Sequence, residues 1–114
     1  MKTVKNFSRQ GDVMFLRVAK IPTDAKESQS SKSGQVIVAH SETGHHHVFA
    51  KDSGVTLYTT ADPNVCYLRM EGPAQLDHLR AWDTHESQLF VDGGCFVVRR
   101  HQEETPDGWR MVAD

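Results

Sequence analysis

Three of the seven histidines in this chain follow one another at His45, His46 and His47, directly after Gly44. Side chains alternate between the two faces of a β-strand, so a strand here directs His45 and His47 to one face and His46 to the other. Imidazole is the most common side-chain ligand of metals in proteins. Two imidazoles on one face therefore supply half of a metal site.

The remaining ligands must come from other parts of the chain, because such sites combine two or three imidazoles with a carboxylate. Further histidines lie before the glycine turn and beyond residue 77, and the carboxylate would be Glu42, Asp83 or Glu86. The preferred candidate ligands are His40, His45, His47, His78, His85 and Glu86. The expected ion is zinc, iron or manganese. The alternative is that these histidines are solvated or hydrogen-bonded residues of an ordinary surface strand.

A second group of chemically active residues lies between Asp77 and Glu86, where carboxylates stand next to His78 and His85. A carboxylate beside an imidazole can hold a general base near neutral pH. No nucleophile lies at a defined spacing from this group. A solvated, charged surface is the alternative interpretation.

Other catalytic signatures are absent from the sequence. Cys66 and Cys95 lie in apolar, strand-like segments, so we expect small buried hydrophobic residues rather than nucleophiles or thiolate ligands. The sequence contains neither a Gly-X-Ser-X-Gly motif nor a glycine-rich phosphate-binding motif. It therefore gives no signature of a serine hydrolase or of a nucleotide-binding enzyme.

A basic cluster at residues 99–101 is followed by Trp109 and Arg110. Arginine and aromatic side chains together can bind a phosphate or the acidic surface of a partner. The alternative is an exposed strand end whose charge Glu103 and Glu104 neutralise.

The composition, with 38% hydrophobic and 25% charged residues, predicts one soluble globular domain spanning residues 1–114. No apolar run reaches the ~20 residues of a membrane-spanning helix, and residues 1–6 do not resemble a secretion signal. We therefore expect a cytoplasmic protein without membrane contact. The formal net charge of -2 gives no electrostatic reason for general nucleic-acid binding, but it allows a small local basic patch.

Short segments rich in β-branched and aromatic residues alternate with turn residues along the chain. Polar residues 23–34 predict a surface loop, and residues 80–87 predict a polar loop or a single helical turn. The predicted strands cover residues 13–19, 35–39, 45–50, 55–59, 65–70, 74–79, 88–91, 95–100 and 109–113. This pattern predicts an all-β, single-domain antiparallel sandwich or small barrel with little or no helix.

Three stretches of the sequence stand out: Arg-Gln-Gly-Asp-Val at 9–13, Ala-His-Ser-Glu-Thr-Gly-His-His-His at 39–47 and Val-Arg-Arg-His-Gln-Glu-Glu-Thr-Pro at 98–106. Together they resemble a family of short bacterial and prophage proteins of unassigned function. The resemblance spans nearly the whole chain and implies a compact β-rich domain without an established activity. A looser similarity is to the cupin barrel, which also places a His-X-His pair on a strand after a glycine, and it is an analogy of shape.

Two functions are consistent with these observations. The first is a small phage-related or bacterial β domain that binds a divalent metal through the His-X-His hairpin. If the protein is an enzyme, the metal would act as a Lewis acid or activate a bound water. The second is a noncatalytic interaction module, such as a phage accessory protein that occludes a host factor. The partners left open are a host or phage protein and a second copy of the chain.

Overall fold

The chain forms β-strands along most of its length. A computed structural model describes the backbone of residues 2–10, 13–40, 46–79, 84–100, 102–105 and 108–111, and the side chains of residues 2–9, 13–38, 47–77 and 87–100. No helix occurs among these residues. The strands are β1 (Lys2–Val4), β2 (Phe7–Gln10), β3 (Val13–Val18), β4 (Lys26–Ser30), β5 (Val36–His40), β6 (His46–Phe49), β7 (Val55–Thr59), β8 (Val65–Met70), β9 (Ala74–Leu79), β10 (Thr84–Phe90), β11 (Gly94–Arg100), β12 (Gln102–Thr105) and β13 (Gly108–Met111).

Two sheets pack face to face. The five-stranded sheet has the order β1-β10-β9-β6-β5, and the six-stranded sheet has the order β2-β3-β11-β8-β7-β4. Neighbouring strands are antiparallel except for β1 and β10, which are parallel. Both sheets end in edge strands and neither closes on itself, so the predicted antiparallel sandwich is confirmed and a closed barrel is not formed. Strands β12 and β13 pair with each other as a separate hairpin.

The interior of the sandwich is built around Phe90, on β10 of the five-stranded sheet. Its ring makes edge-to-face contacts with Phe15 and Phe96 of the other sheet, at centroid distances of 5.4 and 5.1 Å. It also contacts Phe49 of its own sheet at 5.9 Å. All four rings have 0% exposure, and such aromatic pairs add about 0.5–1.5 kcal/mol each beyond the burial of their area.

Polar side chains also link the two sheets. Gln88, on β10, is 5% exposed; its amide nitrogen donates to the carbonyl of Arg9 at 3.0 Å, and its amide oxygen accepts from the hydroxyl of Ser8. At the opposite edge, Gln29 accepts from the Ile37 N–H at 2.9 Å and donates to the Ile37 carbonyl at 3.0 Å. The Gln29 side chain thus makes the two backbone hydrogen bonds that a neighbouring strand would make to Ile37, next to the register shift in β5.

Two of the predicted loops are strands. The polar loop predicted at residues 23–34 contains β4, which pairs with β7 as the edge strand of the six-stranded sheet. Its first three residues are exposed, so it lacks the apolar alternation by which strands are recognised. The loop or helical turn predicted at 80–87 is wrong for residues 84–87, which begin β10, and residues 80–83 lie outside the described part.

Strands β1 and β2 were not predicted either, because residues 2–10 carry no clear periodicity. The predicted hairpin of residues 35–39 with 45–50 is confirmed by the pairing of β5 with β6. None of the described residues belongs to a helix long and apolar enough to cross a membrane.

Candidate functional site

Three histidines occupy one row across three neighbouring strands of the five-stranded sheet. His47 on β6 pairs with His78 on β9, and His78 in turn pairs with His85 on β10. Directly opposed residues of antiparallel strands lie on the same face, with Cβ atoms about 5 Å apart. The backbone register therefore assigns these three positions, which we call the histidine row, to one face of the sheet.

The histidine row belongs to the inner face. His47 is 1% exposed and lies two positions before Phe49, which is 0% exposed. Phe49 pairs with Leu76, which is also 0% exposed and lies two positions before His78. Because side chains alternate along a strand, the row continues the core-facing side of the sheet by one step. The backbone positions of the histidine row thus come directly after core-facing positions in the alternation of β6 and β9.

The remaining predicted ligands occupy different positions. His40 pairs with His46, in the row next to His47, so alternation assigns both to the opposite face from the histidine row. Glu86 follows His85 on β10, where the register with β9 shifts. His45 lies outside the described residues. The register therefore brings together His47, His78 and His85 and separates His40 from them.

Among the described side chains, no group of three or more His, Cys, Asp or Glu residues could hold a metal ion. Of the six predicted ligands, His47 is the one whose side chain is described. The side chain of His47 takes part in a contact within the protein. The absence of a cluster among the described side chains consequently does not bear on the ligand set that the sequence predicts.

The second predicted group, around Asp77, divides between the two faces. Asp77 pairs with Val48, and both lie one position away from the histidine row, on the outer face of the sheet. One carboxylate oxygen of Asp77 accepts hydrogen bonds from Gln75 at 2.9 Å and from Ser87 at 2.5 Å. This carboxylate is thus held by its own surface neighbours and faces away from the His78 position.

Cys66 is a partly buried residue that packs against the hydrophobic core, in keeping with the prediction. Cys95, which was also expected to be buried, instead lies on the outer face of the six-stranded sheet opposite Arg69. Both cysteines are free thiols and half-buried. Burial raises the pKa of the Cys66 thiol from 9.0 to about 12. The thiol is therefore protonated at neutral pH, whereas a nucleophile or a metal ligand must be a thiolate. With Ile37, Val38 and Leu57, Cys66 lines a cavity of about 270 Å³ between the sheets.

These observations define a class of protein: an open antiparallel β-sandwich with the three positions of the histidine row next to its core. Residues 9–101 match a family model described as "Domain of unknown function (DUF8820)", and the chain belongs to this family. The match includes the whole histidine row and excludes the β12–β13 hairpin. No curated protein and no solved structure matches the chain significantly. The predicted membership of a family of unassigned function is thus confirmed, while the phage relation and the cupin analogy stay predictions.

Proposed function

We propose that this protein binds a divalent metal ion, such as zinc, iron or manganese, through His47, His78 and His85. The observation that carries the proposal is the direct cross-strand pairing of these three histidines. Opposed Cβ atoms about 5 Å apart allow imidazoles on adjacent strands to converge on one ion at about 2.0–2.1 Å. Chain neighbours Glu86 and His45 are the candidates for a further ligand.

The surroundings of His47 support the proposal. At 1% exposure, His47 stands beside Phe49 and the hydrophobic core. A hydrophobic shell limits the access of solvent to a metal and tunes the acidity of a water bound to it. Three imidazoles with one open position are one of the ligand sets found in catalytic zinc sites. In such a site, the metal would act as a Lewis acid or activate its bound water.

The proposal is tested by measuring metal binding on protein purified without an affinity tag. We expect close to one equivalent of metal after titration with zinc, iron(II) or manganese(II), followed by desalting and elemental analysis. His78→Gln and His85→Gln should each weaken binding at least about a hundredfold, because loss of an outer-shell partner alone costs about 10–100-fold. His47 is less suitable for substitution, since its burial would mix loss of packing with loss of a ligand.

The matched control is His46→Gln, which changes the same residue type one position from His47 on the opposite face. It should change the affinity by less than about threefold, well below the cost of losing an outer-shell partner. Circular dichroism should show the same β spectrum for all variants. Less than about a tenth of an equivalent of metal in the wild type, or equal losses in His46→Gln and His78→Gln, would contradict a site with a defined ligand set.

A further inference from the structure

A row of apolar and aromatic side chains crosses the outer face of the six-stranded sheet. Each member is the direct cross-strand partner of the next, from the edge strand β2 to β7. We call these residues the aromatic row: Phe7, Leu16, Val97, Tyr67 and Tyr58. The members come from five strands in three separate parts of the sequence, namely β2 and β3, β7 and β8, and β11, so the complete row exists only in the folded chain.

The aromatic row is accessible to a partner. Phe7 is 55% exposed and Leu16 is 43% exposed, while the two tyrosines are half-buried. Val97 is 7% exposed at the centre of the row, yet it does not belong to the interior core cluster. Single exposed apolar residues are common, but a continuous apolar row is typical of a binding surface.

Arginines lie on both sides of the aromatic row. On one side of the aromatic row, Met14 pairs with both Arg9 and Arg99. On the other side of the aromatic row, Arg69 pairs with Cys95. All three are exposed. The guanidinium carbon of Arg69 lies 5.4 Å from the centroid of the Tyr58 ring, so a cation and an aromatic face form one surface.

The positive charge of these arginines is concentrated on the outer face of the six-stranded sheet. The aromatic row meets one carboxylate, Glu27, at its far end on the edge strand β4. Among the described residues of the aromatic row and of the two rows beside it, three arginines thus stand against one glutamate, in a chain whose formal net charge is -2. The outer face of the other sheet differs, since its Asp77 carboxylate is hydrogen-bonded to Gln75 and Ser87. The six-stranded sheet therefore presents a basic and aromatic face that the overall charge does not reveal.

We propose that the outer face of the six-stranded sheet binds single-stranded nucleic acid. Bases stack on exposed aromatic rings, and arginines flanking the rings contact the phosphates. Phe7 and Tyr67 lie three strands apart, roughly 14 Å at the usual spacing of neighbouring strands, so different bases of one strand would stack on them. A duplex keeps its bases stacked on each other and cannot use these rings. An acidic protein surface would match the charge but not the exposed faces of the rings.

The experiment is a fluorescence anisotropy titration of labelled oligo(dT) and oligo(U) of about twelve nucleotides, at about 50 mM and about 200 mM salt. We expect saturable binding that weakens with salt, and at least about tenfold weaker binding of a duplex of equal length, since stacking supplies much of single-strand affinity. Arg99→Glu and Phe7→Ser should each weaken single-strand binding by about fivefold or more. Phe7 is the most exposed member of the aromatic row, so its replacement leaves the core intact.

The matched control is Lys51→Glu, which changes the net charge as Arg99→Glu does but lies in the turn after β6, outside the strands that carry the aromatic row and the arginines beside it. It should change the affinity by less than about twofold, because its charge is remote from the bound phosphates. The proposal is overturned by equal effects of Lys51→Glu and Arg99→Glu, by a duplex that binds as well as the single strand, or by no binding up to about 100 µM. Binding of a polyglutamate peptide without binding of any oligonucleotide would assign the face to a protein partner and would also overturn it. The histidine row lies on the other sheet, so neither result depends on metal binding.

Discussion

At the scale of single residues, the position of Cys66 sets the chemistry of its thiol. Cys66 lies two positions before the fully buried Leu68, on the inner face of the six-stranded sheet. Desolvation there disfavours the thiolate, so burial raises its pKa from 9.0 to about 12. The native protein therefore keeps the proton of Cys66 at a pH at which the unfolded chain releases it.

This difference predicts a loss of stability at high pH. The contribution of the protonated Cys66 thiol to the free energy of unfolding is fully present below pH 9.0, and it is lost as the pH rises from 9.0 towards about 12. The stability of the wild type relative to Cys66→Ala should fall by up to about 1.4 kcal/mol per pH unit above this threshold. Urea unfolding between about pH 8 and about pH 10.5 measures it. Cys95→Ala retains the Cys66 thiol, so its stability should fall with pH as that of the wild type does. A difference in stability between the wild type and Cys66→Ala that stays constant across this pH range would contradict the prediction.

At the scale of elements, the turn between β10 and β11 is fitted to the side chain of Arg17. The guanidinium of Arg17 donates to the carbonyl of Gly93 at 2.7 Å and to the carbonyl of Lys5 at 2.7 and 3.1 Å. It also lies 4.7 Å from the centroid of the Phe96 ring. Gly94 has φ of 104°, and a Cβ there would lie 2.2 Å from Arg17 Nη1. The turn thus needs glycine both for its backbone conformation and for the approach of the arginine.

Gly94→Ala should lower the free energy of unfolding by about 2–4 kcal/mol, because it combines backbone strain with displacement of a hydrogen-bonded arginine. Urea denaturation measures the change. Gly72→Ala is the matched control, since a Cβ at Gly72 meets nothing within 4 Å. It should change stability by less than about 1 kcal/mol in either direction. Equal effects of the two substitutions would show that neither the positive φ of Gly94 nor its close approach to Arg17 contributes to the cost.

At the scale of the whole molecule, the two sheets are joined by a polar link in addition to the phenylalanine core. Gln88 of the five-stranded sheet binds the Ser8 hydroxyl and the Arg9 carbonyl of the six-stranded sheet. Ser8 is 1% exposed, so water does not replace a lost partner easily. The relative position of the sheets therefore depends on a specific hydrogen-bonded pair as well as on apolar contact.

Gln88→Ala should destabilise the protein by about 2–3 kcal/mol, because it leaves buried polar groups without their partner. Gln75→Ala, on the neighbouring strand β9, removes an exposed amide and should cost less than about 0.5 kcal/mol. Combining Gln88→Ala with Ser8→Ala should cost less than the two single changes together, by at least about 0.5 kcal/mol. Additive effects in this double-mutant cycle would rule out direct coupling of the two residues.

The local sequence was sufficient to predict the strands in the middle of the chain. The predicted segments 55–59, 65–70 and 74–79 coincide with β7, β8 and β9. These segments combine β-branched or aromatic residues with turn residues on either side, and this information is contained within each segment. The edge strand β4 was missed, since it is mostly exposed and its place depends on pairing with β7 and on the Gln29 contact with Ile37.

The sequence by itself also determined that adjacent histidines of a strand alternate between faces, which is a property of the backbone. It did not determine whether His40, His78 or His85 would accompany His47, because strands distant in the chain become neighbours only through tertiary pairing. That pairing decided the histidine row, by aligning β6 with β9 and β9 with β10. It also decided the aromatic row, whose five residues come from five strands. Register fixes every such row at once, because a shift by one residue would move all side chains of a strand to the opposite face.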